Sequence, residues 1–253
     1  MMADTASHSA VDDFATLELA SSALLLDIDG TLVDFGPSPF EVHVPEALCR
    51  SLARLLERMD GALALVSGRP IRDIDKLFSP LKLPAVGGHG AEMRLADGEV
   101  IAGVKALPEK LRKRLALAAT PGSGVVLEDK GYSFALHYRQ TPQQEPRLRA
   151  LVDRVRAEFP DEALEVLLGK AMFEVKRPGI SKGEAVRTLM THAPFAGRAP
   201  VFIGDDVTDE SVFALLPVLR GKGYSVGRRF DGLAGMFAAP DEVREALRRL
   251  ASV

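Results

Sequence analysis

Short apolar runs alternate with amphipathic segments along most of the chain. The first run, residues 22–28, is almost continuously apolar, as is typical of a strand covered on both faces. The next segment, residues 44–61, spaces its leucines at helical intervals, with Pro45 near its start and Gly61 at its end. The same alternation continues to residue 78 and returns after residue 178. It predicts an α/β fold with a doubly wound, mostly parallel sheet.

The pattern changes between residues 106 and 177. A helical segment is followed by two alternating strand-like runs, and this order then occurs a second time. The segments are residues 108–119, 124–139 (two runs split by a Lys-Gly turn), 142–159, 163–169 and 171–177. Helix-strand-strand-helix-strand-strand predicts an α+β module whose helices cover one face of an antiparallel sheet.

These two patterns divide the chain into parts. Residues 1–20, which hold no apolar stretch, are interpreted as a mostly flexible lead-in, with a short helix at its end left open. Residues 21–104 and 178–253 are predicted to form the α/β core. Residues 105–177 are predicted to be a second domain inserted into that core.

Composition excludes several classes of protein. The 253 residues hold 32 basic and 35 acidic side chains, with no tryptophan and no basic cluster, which argues against nucleic-acid binding. No apolar run approaches the roughly 18 residues of a membrane helix, and residues 1–20 lack the features of a signal peptide. The single cysteine, Cys49, is expected to be a buried thiol in a reducing compartment. We therefore expect a cytoplasmic protein without membrane or nucleic-acid partners.

Two carboxylates end the most apolar run of the chain, in the sequence LLLDIDGTLVD. Desolvating an unpaired carboxylate is costly, so Asp27 and Asp29 either close a turn or take part in chemistry. If the extended conformation continues, period-two geometry places both on the same side, with Ile28 turned away. Thr31 could then donate to a carboxylate or a phosphate.

Two further polar groups stand at predicted helix starts. Ser67 and the free backbone N–H groups before Pro70 form a plausible anion site, although Ser67 could simply cap the helix. Lys182 lies in the first turn of a helix, where the macrodipole favours a carboxylate instead. The lysine could neutralise a bound anion, or it could be an ordinary solvated side chain.

An acidic cluster, GDDVTDE, follows a later buried strand. Preference for acids at helix N-termini can explain Asp206 and Asp209. It does not readily explain Asp205, which directly follows Gly204 at the strand end. Carboxylate oxygens of this kind suit Mg²⁺, so the cluster predicts a magnesium site.

In this order, the acidic pair, the hydroxyl, the lysine and the acidic cluster supply what phosphoryl transfer through an aspartyl phosphate requires. The sequence here resembles the haloacid-dehalogenase (HAD) superfamily, whose four motifs look like DIDGT at residues 27–31, Ser67, Lys182 and GDDVTD at residues 204–209. Within the sugar-phosphatase branch it is most similar to the trehalose-phosphatase family. That similarity is carried by GHGAE at residues 88–92, by LEDKGYS and ALHYR between residues 127 and 139, and by the final acidic stretch.

The resemblance implies a Rossmann-like core with an inserted α+β cap of type IIB, and it implies roles for the motif residues. Asp27 would attack phosphorus and become the aspartyl phosphate. Asp29 would protonate the departing sugar oxygen and then deprotonate the attacking water. Ser67 and Lys182 would bind the non-bridging phosphate oxygens.

The same resemblance implies a metal centre. Mg²⁺ would be held by the carboxylates of Asp27 and Asp205 and by the backbone carbonyl of Asp29. Asp206 and Asp209 are expected to position the waters of the metal or the loop, without direct contact. Mg²⁺ is the only cofactor expected.

The inserted domain is expected to select the substrate. Trehalose is neutral and rich in hydroxyl groups, so its site needs charged hydrogen-bonding side chains. Glu128 and Lys130, two apart on one predicted strand, should face the same way, and Glu174 could join them. The residues expected to bind substrate are Glu128, Lys130, Glu174, Arg139, His89 and Arg69. The alternative is that those of the inserted domain are exposed charges on a sheet face.

The resemblance therefore implies Mg²⁺-dependent hydrolysis of trehalose 6-phosphate in trehalose biosynthesis, with a possible functional link to trehalose-6-phosphate synthase. Two alternatives remain open at this point. One is a phosphatase for another sugar phosphate, such as sucrose 6-phosphate or a mannosyl phosphate. The other is a catalytically silent regulatory partner of a sugar-phosphate synthase, although the loss of motif acids expected of such a partner is not seen.

Overall fold

The computed structural model describes residues 10–36, 42–102, 104–169 and 171–252. The chain forms two compact units. The main unit comprises the described residues up to Ile101 together with those from Ser181 onward, and the inserted unit runs from Ala102 to Ile180. The predicted boundaries, residues 105 and 177, lie slightly inside those of the inserted unit, and Gly103 lies outside the described residues.

The described residues contain twelve strands and eight α-helices. The strands are β1 Ser22–Leu26, β2 Leu63–Val66, β3 Ala85–Gly87, β4 Glu92–Arg94, β5 Val100–Ala102, β6 Val126–Asp129, β7 Ser133–His137, β8 Glu165–Gly169, β9 Met172–Lys176, β10 Ala199–Gly204, β11 Lys222–Val226 and β12 Gly235–Phe237. The helices are α1 Ala10–Ala15, α2 Glu46–Arg58, α3 Ile71–Leu77, α4 Glu109–Ala116, α5 Glu145–Glu158, α6 Lys182–Leu189, α7 Glu210–Phe213 and α8 Pro240–Leu250.

The main unit is built on an eight-stranded sheet in the order β12-β11-β10-β1-β2-β3-β4-β5. Pairing is parallel from β12 to β3 and becomes antiparallel between β3 and β4. Every residue of the central strand β1 is buried, so the sheet is covered on both faces there. The predicted α/β fold class is therefore confirmed.

Sheet order also decides which loops meet. Strand β1 lies between β10 and β2, with Leu26 paired to Ile203 on one side and to Leu65 on the other. The carboxyl ends of three adjacent parallel strands thus lie side by side. Ligands of open α/β sheets bind at this edge, and Asp27, Ser67 and Asp205 follow these strand ends.

The segment predicted to be a flexible lead-in is partly folded. Residues 1–9 lie outside the described residues, but Ala10–Ala15 forms helix α1, which packs on α8. Phe14 is fully buried, and its ring meets Tyr224 at 5.5 Å and Phe237 at 6.0 Å between centroids, both edge to face. A short helix, which the sequence left open, thus occurs in this segment, and burial of one aromatic ring anchors it to the main unit.

The inserted unit has a four-stranded antiparallel sheet in the order β6-β7-β9-β8. Its own apolar core joins leucines and valines of α4 and α5 to one face of this sheet. The strand residues of that core are Phe134, Leu136, Phe173 and Val175. Because side chains alternate along a strand, the polar side chains of β6, β7 and β9 share the opposite face. The order of helices and strands is the one that the sequence predicts.

Two smaller expectations can be compared with the structure. Cys49, expected in the core, is half-buried and packs at the edge of the main core. Among the described residues, every helix is too short or too polar to span a bilayer.

Candidate active site

Lys182 is the centre of the most buried polar group in the main unit. Its Nζ donates to Asp27 Oδ1 at 2.7 Å and to Asp209 Oδ1 at 2.6 Å. The three side chains are at most 6% exposed. Burial alone would lower the pKa of Lys182, but the two carboxylates outweigh it and raise the pKa above its ordinary value. Lys182 is therefore a buried cation and not a solvated surface lysine.

The start of helix α6 holds Lys182 in place. Ser181 caps the helix, its Oγ accepting the N–H of Glu184 at 3.2 Å. Gly183 donates its N–H to Ser211 Oγ at 3.1 Å, and a Cβ at this position would lie 2.3 Å from the Ser211 carbonyl oxygen. Glycine is needed at position 183 because the backbone of α6 approaches the backbone of Ser211 so closely.

Asp209 organises the acidic loop after β10. Its Oδ2 accepts the backbone N–H groups of Asp205 and Asp206, each at 3.0 Å. A Cβ at Gly204 would lie 2.5 Å from the same oxygen, so the strand end must be glycine for the carboxylate to reach these groups. Asp209 is fully buried, whereas Asp206 is exposed. Asp209 thus positions both the loop and Lys182.

Asp27, Asp205 and Asp209 form a compact carboxylate cluster. Each offers one oxygen, and these oxygens lie within 4.8 Å of one another. The sequence predicted Asp27 and Asp205 as ligands, whereas Asp209, expected to act only indirectly, lies equally near. Both of its oxygens already accept hydrogen bonds from Lys182 or the loop. The side chain of Asp29 is not in this cluster, so its predicted contact through the backbone carbonyl stays a prediction.

The cluster carries more negative than positive charge. Burial raises the pKa of Asp27 well above its ordinary value, and although Lys182 opposes this, Asp209 and Asp205 add to it. Burial, with Asp209 and Asp206, raises the pKa of Asp205 to about 6. One ammonium group cannot compensate three carboxylates, and a bound divalent cation would offset the rest. The donor set therefore fits Mg²⁺.

Asp29 lies close to this cluster in sequence but has a different partner. Arg69 donates two hydrogen bonds to the Asp29 carboxylate, from Nε to Oδ2 at 2.7 Å and from Nη2 to Oδ1 at 2.6 Å. Strand β1 ends at Leu26, but the backbone N–H of Asp27 still donates to the Ile203 carbonyl at 3.0 Å, and the extended geometry expected for the pair stays a prediction. Arg69, predicted to bind substrate, is engaged by Asp29 in this structure.

The turn between the two carboxylates and Thr31 is compact. Gly30 has φ of +81°, and a Cβ there would lie 2.3 Å from Asp205 Oδ2. Thr31 Oγ1 donates to Asp205 Oδ1 at 3.4 Å. The glycine thus allows the first motif to touch the last, and Thr31 donates to a carboxylate as the sequence suggested.

Ser67 is 1% exposed and closes the loop after β2. Its Oγ accepts the N–H of Arg69 at 3.1 Å, two residues on. This bond closes a local turn. Ser67 does not cap α3, because the N-cap position of that helix is Pro70. Accepting this bond leaves the hydroxyl proton of Ser67 able to donate to an anion.

His89 lies against the same loop. Its backbone N–H donates to the Ser67 carbonyl at 2.9 Å, and a Cβ on Gly68 would come within 2.4 Å of its ring. Glu92, which the sequence analysis did not single out, accepts the N–H of Ile71 through Oε2 at 2.8 Å. The GHGAE stretch therefore supports the loop of Ser67, while a contact of His89 with substrate stays a prediction.

In the inserted unit, Lys130 joins two carboxylates. Its Nζ lies 3.3 Å from Glu174 Oε1 and 3.8 Å from Glu128 Oε1. Glu174 and Lys130 are 2% and 7% exposed, and Glu128 is 33% exposed. These three side chains lie together, as predicted. They are not the freely exposed charges of the alternative interpretation.

Two residues of this polar face were missed. Ser133 Oγ donates to Glu174 Oε1 at 2.6 Å, and His137 Nε2 lies 3.2 Å from Glu128 Oε2. The period-two alternation of β7 places Ser133, Ala135 and His137 on one face, but their contacts also depend on the pairing of β7 with β6 and β9.

Arg139, also predicted to bind substrate, lies apart from this group. It is exposed in the turn after β7. Among the described residues, no hydrogen bond or ion pair connects it to the three charged side chains above. Its role in substrate binding stays a prediction.

Comparison with known proteins shows which family this chain belongs to. The sequence model of the trehalose-phosphatase family matches residues 25–229. Trehalose-6-phosphate phosphatase of Escherichia coli (strain K12) is 42% identical over 210 residues, which cover 82% of this chain and 78% of that protein. A protein of Sinorhizobium fredii named probable trehalose-phosphate phosphatase is 39% identical over 233 residues, covering 91% of this chain and 86% of its own.

Solved structures show the same fold. The C-terminal domain of trehalose-6-phosphate phosphatase from C. albicans superposes with a TM-score of 0.72 at 22% identity, covering 96% of this chain and 95% of that one. The HAD-superfamily phosphatase BT1666 from Bacteroides thetaiotaomicron does so with a TM-score of 0.60 at 16% identity, covering 100% and 99%. At such identities the likeness concerns the fold alone.

The fold, a Rossmann-like core with an inserted α+β unit, is the one seen in solved phosphatases of the HAD superfamily. The order of the four motifs and the carboxylate cluster at the sheet edge agree with this class. The chain belongs to the trehalose-phosphatase family, whose members are phosphoric monoester hydrolases.

Proposed function

We propose that this protein hydrolyses trehalose 6-phosphate to trehalose and phosphate, in a Mg²⁺-dependent reaction through an aspartyl phosphate on Asp27. The observation that carries the proposal is the buried group of Asp27, Lys182 and Asp209, with Asp205 beside it. Burying these charges costs free energy, and phosphoryl transfer would use them to attack phosphorus and to stabilise the phosphate charge. The names of the relatives support the choice of substrate.

The metal would be held by the carboxylates of Asp27 and Asp205 and by the backbone carbonyl of Asp29. A bound Mg²⁺ would offset the repulsion between the nucleophile and the dianionic phosphate. Asp209 contributes by fixing the backbone N–H groups of Asp205 and the residue after it.

Asp27 would form the new bond to phosphorus while the bond to the sugar oxygen breaks. Lys182 holds Asp27 Oδ1 at 2.7 Å, which fixes the carboxylate for attack and places a cation where phosphate charge must be stabilised. The hydroxyl of Ser67 would donate to a non-bridging oxygen. Asp27 and Ser67 follow the ends of adjacent strands, and Lys182 already contacts Asp27, so little rearrangement within the main unit is needed.

Asp29 would act as the acid and then as the base. Its carboxyl group would give a proton to the departing sugar oxygen, and would later take a proton from the water that attacks the aspartyl phosphate and releases Asp27. The two hydrogen bonds from Arg69 set the orientation of this carboxylate. Arg69 thus supports the acid and base in addition to any contact with substrate.

The sugar would be recognised by the polar face of the inserted unit. Glu128 and Glu174 can accept hydrogen bonds from sugar hydroxyls, and Lys130 can donate to one. Their mutual contacts hold the three side chains together before a sugar arrives. Recognition by charged groups gives strong discrimination, because an analogue without the matching hydroxyl leaves them unpaired.

Release of phosphate from a panel of substrates, with and without Mg²⁺, tests this function. The panel holds trehalose 6-phosphate, sucrose 6-phosphate, a mannosyl phosphate and p-nitrophenyl phosphate. We expect the highest kcat/KM for trehalose 6-phosphate, and loss of turnover after chelation that added Mg²⁺ reverses. Preference for another sugar phosphate, or full turnover in chelator, would contradict the proposal.

Two further expectations concern the cellular setting. A cytoplasmic location agrees with the reducing environment expected for a single cysteine, and it stays a prediction. A functional link to trehalose-6-phosphate synthase follows only from the substrate, since that enzyme class would supply it, and it also stays a prediction.

A further inference from the structure

Strand β7 carries three side chains between the two carboxylates of the polar face. Ala135 pairs with Glu128 on one side and with Glu174 on the other. Ser133 and His137, two residues before and after it, share its face. Each of them is therefore a diagonal neighbour of one carboxylate across the sheet.

His137 donates to Glu128 and not the reverse. The distance from Nε2 to Oε2 is 3.2 Å, and an ionised carboxylate has no proton to give. Burial alone would raise the pKa of Glu128, yet its hydrogen bond with His137 and the charge of Lys130 lower it. Glu128 is thus held in its ionised, hydrogen-bond-accepting form, and the bond to His137 sets the position of its Oε2.

Ser133 has the same relation to Glu174. Its Oγ donates to Glu174 Oε1 at 2.6 Å, and both side chains are 2% exposed. A hydroxyl buried so completely needs a hydrogen-bond partner, and this carboxylate provides it.

Lys130 cannot orient the two carboxylates by itself. Its ammonium is a compact charge on a flexible stem, shared between Glu128 and Glu174. It draws both carboxylates together but does not by itself set the orientation of either carboxylate plane. A site that recognises hydroxyl groups needs those directions fixed before the sugar binds.

We propose that His137 and Ser133 are positioning residues, His137 directing Glu128 and Ser133 directing Glu174 towards the sugar. The inference rests on the proposed function and deepens it. It adds a second layer to the sugar site, whose members act through the carboxylates and need not touch the substrate.

A double-mutant cycle between His137 and Glu128 tests this. We expect His137→Ala to raise KM for trehalose 6-phosphate about tenfold, with a much smaller change in kcat. The rise in KM for p-nitrophenyl phosphate should be much smaller. In the Glu128→Ala background, His137→Ala should change KM for trehalose 6-phosphate little, because its target is gone. The parallel cycle pairs Ser133→Ala with Glu174→Gln.

Two variants separate positioning from folding. His137→Gln keeps an N–H donor and should restore most of the affinity lost in His137→Ala. His192→Ala removes a histidine of the main unit whose ring hydrogen-bonds with Thr188 and Thr191, and it should leave KM for both substrates unchanged. Circular dichroism checks that each variant is folded.

Several results would overturn the inference: an unchanged KM in His137→Ala, an equal effect with and without Glu128, or no recovery in His137→Gln. Failure of the proposed function is distinguishable from these. It would appear in the wild type as preference for another sugar phosphate, and the same cycle on that substrate would still decide the role of His137.

Discussion

The two charged clusters of this protein are built in different ways. In the main unit, Asp209 is held by two backbone N–H groups and by Lys182, and both of these side chains are fully or nearly fully buried. In the inserted unit, Glu128 is one-third exposed and its described contacts are with other side chains. The first arrangement is rigid because the backbone makes it, whereas the second can change with single side chains.

The clusters also draw on different parts of the chain. The main cluster gathers residues 27, 182, 205 and 209 from three strand or helix ends that are far apart in sequence. The polar face of the inserted unit comes from three neighbouring antiparallel strands. Under the proposed function, chemistry would therefore depend on the whole fold of the main unit, while selection of the sugar would depend on one sheet face.

Replacing the nucleophile should have the largest effect. Asp27→Asn keeps the shape of the side chain but removes its nucleophilic oxygen charge, so we expect phosphate release to fall by about a thousandfold or more. The fold should persist, because Lys182 keeps its bond to Asp209. Wild-type turnover in this variant, measured with trehalose 6-phosphate, would rule out the covalent mechanism.

Removing the buried cation should damage both stability and activity. Lys182→Met leaves two buried carboxylates without their partner, which costs about 3–5 kcal/mol. We expect its urea unfolding midpoint to fall clearly below that of the wild type, along with loss of phosphate release. Lys76→Met, which removes a surface lysine paired with Asp73, is the matched control and should unfold like the wild type. Equal midpoints in both variants would contradict the claim that Lys182 stabilises the fold by compensating two buried carboxylates.

Weakening the metal site should have a smaller effect that depends on conditions. Asp205→Asn retains one ligand oxygen but loses charge, so the Mg²⁺ concentration for half-maximal activity should rise about tenfold or more. High Mg²⁺ should recover part of the activity. Asp231→Asn, an exposed acid of the same unit, serves as control. The assignment fails if both variants show the Mg²⁺ dependence of the wild type.

The smallest effect is expected in the inserted unit. Glu128→Ala should raise KM for trehalose 6-phosphate about tenfold while affecting kcat less, because it removes binding and not chemistry. Glu109→Ala, which removes an exposed acid paired with Lys113 on α4, is the control. A fall in kcat without a change in KM would place Glu128 outside the sugar site.

Sequence patterns predicted much of this molecule for identifiable reasons. Asp27, Ser67 and Asp205 each follow a buried parallel strand, and strand ends of this kind must meet at one edge. The common direction of Glu128 and Lys130 followed from alternation along one strand, whereas Glu174 was a candidate through the family resemblance.

Other features depend on information that the local pattern does not hold. The pairing of Arg69 with Asp29 requires two loops to meet with matching geometry, which no spacing reveals. The contacts of Ser133 and His137 depend on strand register, which a single strand pattern leaves open. The position of helix α1 could not be predicted, because Phe14 is buried by tertiary packing and six residues show no periodicity.

One measurement tests the central claim, that the main unit performs the chemistry and the inserted unit selects the sugar. It is the ratio of kcat/KM for trehalose 6-phosphate to kcat/KM for p-nitrophenyl phosphate, in the wild type, Asp205→Asn and Glu128→Ala. We expect Asp205→Asn to lower both rate constants with a nearly constant ratio, and Glu128→Ala to lower the ratio about tenfold. A ratio that falls in Asp205→Asn and holds in Glu128→Ala would contradict the claim.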